Sequence, residues 1–344
     1  MNQAYGQASL NESLYSLLVV RHGKLVREEY FGGCERGMGG NVKSVSKSFL
    51  SALVGIAAEN GQFASINDTV AAIMPSLFKN QTDPRKFDIE IQHVVTMTTR
   101  LGWNENNLGP WFASDNPHQY VIDQPMSGNP GTAFLYSTGL THLAGAMLRE
   151  VTGMEPPDYA AQNLLNPLGI KVQRWDVDRQ GDYIGGAEVY ITPRDMARFG
   201  ELYLRGGTLD SNGIVPADWV SWSTSELVPD AWVSGSRSYG AWWWRDTFGD
   251  HGAYFAWGYG GQFIFVVPNL DLVVVATSDW TVSQQAAGSQ ASAIFNLLDD
   301  WILPSVLPDP EGIVPAVSEW GAIAMALLLL TSGSLMFRRQ FAAA

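Results

Sequence analysis

The sequence predicts an α+β fold in which both ends of the chain build one antiparallel sheet and a mostly helical stretch separates them. Three observations predict it. Strand-like runs with a glycine at the bend occupy the first thirty residues after the polar start, and aromatic and β-branched runs return only after residue 238. The span between them reads as helices joined by long loops.

Taken in order, Leu17-Leu18-Val19-Val20 begins the first strand and Leu25 to Phe31 the second, joined by His22-Gly23-Lys24 as a hairpin turn. Gly32-Gly33 and Gly39-Gly40 mark loops. A helix is expected from Ser44 to Asn60, because Phe49, Leu50, Leu53, Val54 and Ala57 recur at helical spacing and Gly61 stands where a C-cap belongs. Further helices are expected at Asp68–Met74, Ile91–Thr98, Thr141–Thr152 and Pro193–Arg205. Tyr239 to Arg245, Gln262 to Val267 and Leu272 to Thr277 read as strands, the last two separated by the turn Pro268-Asn269-Leu270-Asp271. Ile294 to Ile302 reads as a closing helix. One domain over residues 1–306 is expected, with its helical insertion at roughly 62–230, followed by a linker and tail at 307–344.

Composition narrows the function classes. The 344 residues are 46% hydrophobic and 16% charged, enough apolar mass for a sizeable core. A formal net charge of -13 and the lack of any dense Lys/Arg run in the body argue against a nucleic-acid partner. The single cysteine, Cys34, excludes an internal disulfide and a Cys-rich zinc site. The five histidines show no pair three or four residues apart, so no helical metal pair is expected.

Three segments carry chemistry. In Ser44-Val45-Ser46-Lys47 the serine and lysine share a helix face, so the amine can reach the hydroxyl. A serine hydroxyl attacks poorly until a base takes its proton, and burial can lower a lysine pKa enough for that role. At a helix start, backbone N–H groups also favour developing negative charge. By itself the spacing equally describes an N-cap serine beside a solvated lysine. The second segment, Tyr136-Ser137-Thr138, offers a phenol that can move a proton to a leaving group, or simply a half-buried loop tyrosine. The third, Ala256-Trp257-Gly258-Tyr259-Gly260-Gly261-Gln262, runs into a strand and offers backbone N–H groups to an oxyanion, or simply a glycine-rich turn.

Together the three segments resemble the serine β-lactamase and penicillin-binding-protein superfamily, over roughly residues 14–305. The likeness is nearest to class C β-lactamase-related esterases and 6-aminohexanoate-dimer hydrolases. Thr96-Met97-Thr98-Thr99, Pro130-Gly131, Leu143-Ala144-Gly145 and Tyr190-Ile191-Thr192-Pro193-Arg194-Asp195-Met196-Ala197-Arg198-Phe199-Gly200 add to it. The resemblance implies a β-lactamase-like fold, Ser44 as acyl-forming nucleophile, Lys47 as its base partner and Tyr136 as proton shuttle. It implies backbone N–H groups of Ser44 and Tyr259 as the oxyanion hole, and Trp103, Thr138, Trp257, Gly258, Gly260 and Gly261 as substrate contacts. No cofactor or metal is implied. Thr138 stands where relatives often carry asparagine, and neither Ala256-Trp257-Gly258 nor Tyr259-Gly260-Gly261 supplies the cation that β-lactamases place there. Arg245 and His251 are the candidates for a substitute. The expected substrate is therefore a carboxylic ester or linear amide, with aromatic contacts from Trp103, Trp242 to Trp244 and Trp257. A D-amino-acid peptidase, a β-lactamase and a non-catalytic surface-binding module are the alternatives.

The end of the chain carries a separate signal. A proline-containing stretch ends in Ser318-Glu319-Trp320-Gly321, an uncharged apolar run follows to Phe337, and Arg338-Arg339 closes it. This resembles IPTL-CTERM and related exosortase-type sorting tails. It implies export to the cell envelope, a transient membrane anchor in the C-terminal helix, and an exosortase-type processing enzyme as partner. Met1 to Leu10 has neither the basic nor the apolar part of a secretion signal, which a sorting tail requires, so the expectation is either a truncated chain or a misplaced start.

Overall fold

The hairpin expected around Gly23 forms from β1 (Leu14–Arg21) and β2 (Lys24–Tyr30). His22 and Gly23 both take positive φ, the geometry that matches a tight turn to the twist of its strands. The structure is a computed structural model that describes residues 13–231 and 237–306. The start of the chain and the sorting-type tail lie outside the described residues. No described helix is long and apolar enough to cross a membrane.

The late strands are β3 (Ser238–Tyr239), β4 (Trp244–Phe248), β5 (His251–Gly258), β6 (Gln262–Val267) and β7 (Leu272–Ser278). They join the hairpin in one seven-stranded antiparallel sheet of order β2-β1-β7-β6-β5-β4-β3. Both chain ends thus meet at the β1–β7 seam, where Leu17 pairs with Ala276 and Val19 with Val274. β6 and β7 are buried along their whole length, so both faces of the sheet are covered and the strands read as continuous apolar runs.

Two differences from the sequence expectation bear on the site. The single strand expected at Tyr239–Arg245 folds back on itself instead: Tyr239 of β3 pairs with Trp244 of β4 across a turn in which Trp242 sits at φ 61. β5 went unpredicted, and Ala256-Trp257-Gly258 is the end of that strand instead of a loop.

The first long helix, α1 (Ser46–Glu59), is preceded by a single 3-10 turn at Lys43–Val45. All twelve of its residues from Ser46 to Ala57 are buried, so the helix is enclosed on all sides. α2 (Thr138–Thr152) starts three residues earlier than expected because the Ser137 side chain accepts from the Leu140 N–H and caps it. α3 (Pro193–Leu204) is capped by Thr192, and α4 (Gln284–Leu297) by Ser283. Between α1 and α2 the helices are shorter than expected, Val70–Ile73 and Ile91–Val95.

Candidate active site

Local sequence fixes Ser44. Gly40–Asn41 pairs with Val189–Ile191, and the Val42 N–H donates to the Val189 carbonyl at 2.9 Å. Lys43 then turns at φ 50, its amine pairs with Glu188 at 2.8 Å, and the Ser46 hydroxyl donates to the Lys43 carbonyl. The chain therefore enters α1 through a pinned turn, with Ser44 half-buried on it.

Lys47, one turn on, is 1% exposed. Its Nζ contacts three oxygens: Ser44 Oγ at 2.9 Å, Thr138 Oγ1 at 3.1 Å and the Gly186 carbonyl at 2.6 Å. Burial lowers its pKa to about 8, opposed by the nearby Glu105 carboxylate. A fraction of the amine is thus neutral near neutral pH, which a base requires.

Tyr136 completes the group. Lys47 Nζ lies 5.2 Å from the centre of its ring, which stacks on Trp244 at 5.9 Å. Burial and then Glu105 hold the phenol well above its ordinary pKa, with an interaction with Ser44 opposing. Tyr136 is therefore a neutral donor at physiological pH, and the role of base falls to Lys47.

Thr138 belongs to this network, and so does a residue the sequence did not single out. Glu105 accepts from Trp103 Nε1 at 2.7 Å and from the Thr138 N–H at 2.8 Å, and the Thr138 hydroxyl donates to its second oxygen. Trp103 is thus tied to the network, and its ring also walls a cavity of about 350 Å³ with Asn107, Trp111, Tyr120 and Gln124. Gly139 leaves room for that ring: a Cβ there would lie 2.5 Å from Trp103 Cη2 and 2.7 Å from a Val121 methyl. Gly139→Val is expected to lose about 1–3 kcal/mol of stability through overpacking, read from the midpoint of a urea melt.

The end of β5 lies beside the nucleophile turn, since a Cβ on Gly258 would meet the Val42 carbonyl at 2.3 Å and Lys43 Cβ at 3.2 Å. Tyr259, Gly260 and Gly261 form the turn into β6, the two glycines at φ 75 and 86. The Tyr259 side chain is exposed and bonds the Val282 carbonyl. Trp257 faces Phe263 and Phe295 and packs on Trp244, which in turn stacks on Tyr136.

Several expected contacts are corrected. Trp242 and Trp243 are core residues, 1% and 0% exposed, the latter packed on Phe199 and Tyr203. Arg245 donates to the Thr224 carbonyl. His251 bonds Asn269 at the opposite end of β5 from Gly258. Neither cation candidate faces Ser44.

Behind the site lies a buried histidine pair. His118 and His142 stack with ring centres 4.3 Å apart, and their Nε2 atoms bond Asp182 at 2.9 Å and Asp178 at 3.0 Å. His118, His142 and Asp178 bring ligand-type atoms within 4.8 Å of one another. The rings are only 20° from parallel, so their in-plane lone pairs do not converge on a common ion. Instead the pair docks the Asp178–Asp182 loop onto α2, which carries His142, and onto the helix Pro117–Asp123, which carries His118, just before Gly186 reaches Lys47. The sequence held a signal for this approach in Gly185-Gly186: a Cβ on Gly186 would lie 1.8 Å from Thr141 Oγ1 and 3.1 Å from Lys47 Nζ.

Comparison with known proteins agrees with this architecture. The β-lactamase family model matches residues 15–299. The 6-aminohexanoate-dimer hydrolase of Paenarthrobacter ureafaciens is 24% identical over 289 residues, covering 77% of this chain and 72% of the relative. Among solved structures, EstCE1, a hydrolase with promiscuous acyltransferase activity, superposes with a TM-score of 0.69 at 17% identity, covering 85% of this chain and 98% of that one. A D-stereospecific amidohydrolase from Streptomyces superposes at 0.62 and 16% identity, covering 83% and 96%.

Proposed function

Since the chain belongs to the β-lactamase family, we propose that it is a serine hydrolase that forms an acyl-enzyme on Ser44 and cleaves a carboxylic ester or linear amide. The observation that carries this is the 2.9 Å contact between Ser44 Oγ and an amine buried beside it with a lowered pKa. Ser44 Oγ bonds the substrate carbonyl carbon as its proton passes to Lys47, and the carbonyl electrons move to oxygen. Backbone N–H groups of Ser44 and Tyr259 receive that oxyanion. As the tetrahedral species collapses, Tyr136 gives its proton to the departing alcohol or amine and takes one from Lys47. Water then bonds the acyl carbon as its proton passes to Lys47, the Ser44 Oγ–acyl bond breaks, Oγ takes the proton back and the acid leaves. The related 6-aminohexanoate-dimer hydrolase and the structurally similar amidohydrolase favour an amide, and the structurally similar EstCE1 keeps an ester open. The cavity beside Trp103, walled by Trp111 and Tyr120 with Asn107 and Gln124, suits an uncharged, partly apolar group.

Arg245 is held on the Thr224 carbonyl and His251 on Asn269, so neither candidate supplies a cation to Ser44, which disfavours penicillins. Ser44→Ala is expected to lower kcat/KM on a short-chain p-nitrophenyl ester by at least about 10³-fold with an unchanged melting curve. Equal rates for variant and parent refute the assignment. A Ser44 mass shift with penicillin would move the assignment to β-lactamase or peptidase, and no labelling of Ser44 by a fluorophosphonate would favour a non-catalytic binding module. We further propose that the tail directs this activity to the cell envelope, to be tested by fractionating cells that express the chain with and without residues 318–344.

A further inference from the structure

Lys47 has more acceptors around it than a base can use at once. A neutral amine has two N–H donors and one lone pair. The Gly186 carbonyl can only accept, so it consumes one N–H at 2.6 Å. The remaining N–H and the lone pair are shared between Thr138 Oγ1 at 3.1 Å and Ser44 Oγ at 2.9 Å. Both partners are hydroxyls, which donate or accept. If Thr138 donates to the amine, the lone pair is spent there and Ser44 cannot be deprotonated.

Glu105 resolves this choice. Its carboxylate accepts the single Thr138 hydroxyl proton. Thr138 Oγ1 then has only lone pairs to offer Lys47, and must accept. We propose that Glu105 is a positioning residue that locks Thr138 as an acceptor and thereby aims the Lys47 lone pair at Ser44. The chain Glu105–Thr138–Lys47–Ser44 is thus a directional relay, and the carboxylate that a β-lactamase-like site with an amide at position 138 would not need is what threonine requires here. This inference rests on Ser44 and Lys47 being the nucleophile and base.

The geometry supplies its own test. One Glu105 oxygen holds the Trp103 and Thr138 N–H groups, and the other holds the Thr138 hydroxyl. Glu105→Gln keeps the first oxygen and turns the second position into an NH₂ donor. The structural bonds survive, while the Thr138 hydroxyl proton is pushed towards Lys47. The titratable groups facing Lys47 are Glu105 and Tyr136, so the pH dependence of acylation is followed as well. Parent, Glu105→Gln, Thr138→Val and the double variant are treated with a fluorophosphonate, with Ser44→Ala as control, and the labelling rate is measured from pH 6 to 10. Glu105→Gln is expected to label about 100-fold more slowly with a displaced pH limb and an unchanged melting curve. In the Thr138→Val background, which has no hydroxyl to misdirect, the added effect of Glu105→Gln is expected to fall below about threefold. A Glu105→Gln variant that labels within twofold of the parent, with the same limb, overturns the inference while leaving the function standing. So does an undiminished Glu105→Gln effect without the Thr138 hydroxyl. If the parent is labelled no faster than Ser44→Ala, the functional assignment itself fails and takes this inference with it.

Discussion

Lys47→Met is expected to slow acylation of Ser44 by on the order of 10³-fold while leaving the fold as stable as before to within about 2 kcal/mol. The two halves of this expectation have different origins. The catalytic loss follows from removing the group that, among the described residues, is placed to take the Ser44 proton, since Tyr136 is held neutral by burial and by Glu105. The small change in stability follows from opposing terms. Lys47 has its pKa lowered from 10.5 to about 8 in the fold, so the folded state binds its proton less readily than the unfolded chain does. Stability linked to Lys47 is present above the unfolded value and is lost as pH falls to about 8, which costs about 3 kcal/mol at neutral pH. Methionine removes that cost and fills similar volume. Against it, the Gly186 carbonyl loses its donor, and leaving a buried acceptor unpaired costs about 1–3 kcal/mol. The pH profile separates this role from a structural one. The neutral amine is the reactive form, so the parent rate rises with pH up to about 8 and then levels. Lys47→Met is expected to lose that limb. Labelling kinetics across pH, with urea melts of both proteins, check it, and a methionine variant that keeps both rate and limb would remove Lys47 from the mechanism.

The parts of this site that were legible in the sequence are those that local geometry or a chain-end pattern determines. Ser44 and Lys47 are three residues apart on a helical turn, so their meeting follows from helix pitch alone. The sheet was legible because β6 and β7 are apolar throughout, as fully buried strands are. What stayed hidden depends on distant pairing. Glu105 meets Thr138 across 33 residues, and Gly186 meets Lys47 across 139. The second contact is made by a backbone carbonyl, which every residue carries and no motif announces. Trp242 and Trp243 misled for a related reason. A tryptophan is equally suited to a cleft and to a core, and only the turn at Trp242 and the packing of α3 on the sheet decide for the core. β5 was missed because His251-Gly252 begins it without β-branched residues, so its pairing with β4 and β6 had to override weak local preference.

Acid is expected to loosen the site from behind, through His118. In the fold its pKa is lowered from 6.5 to about 4, by burial first and then by the adjacent His142, with Asp182 and Asp178 opposing. The unfolded chain therefore binds a proton between about pH 6.5 and 4 that the folded chain does not. Stability from this group is fully present above pH 6.5 and is lost as pH falls through that window, by about 3 kcal/mol in all. Asp178, held at about 2, is lost only at lower pH and does not offset it. Arg149 also pairs with Asp182 and stays charged throughout. The consequence is local as well as global. His118 and His142 hold the loop that carries Asp178 and Asp182, and that loop leads directly to the Gly186 carbonyl on Lys47. Protonating His118 beside the stacked His142 ring weakens the docking of this loop, so hydrolysis is expected to fall off below pH 6 more steeply than the titration of Lys47 alone requires. His118→Gln keeps an N–H donor towards Asp182 and removes the titration. Its stability, measured by urea melts at pH 7 and pH 4.5, is expected to differ between the two conditions by about 2 kcal/mol less than that of the parent. An equal pH difference in both proteins would place the acid sensitivity elsewhere in the fold.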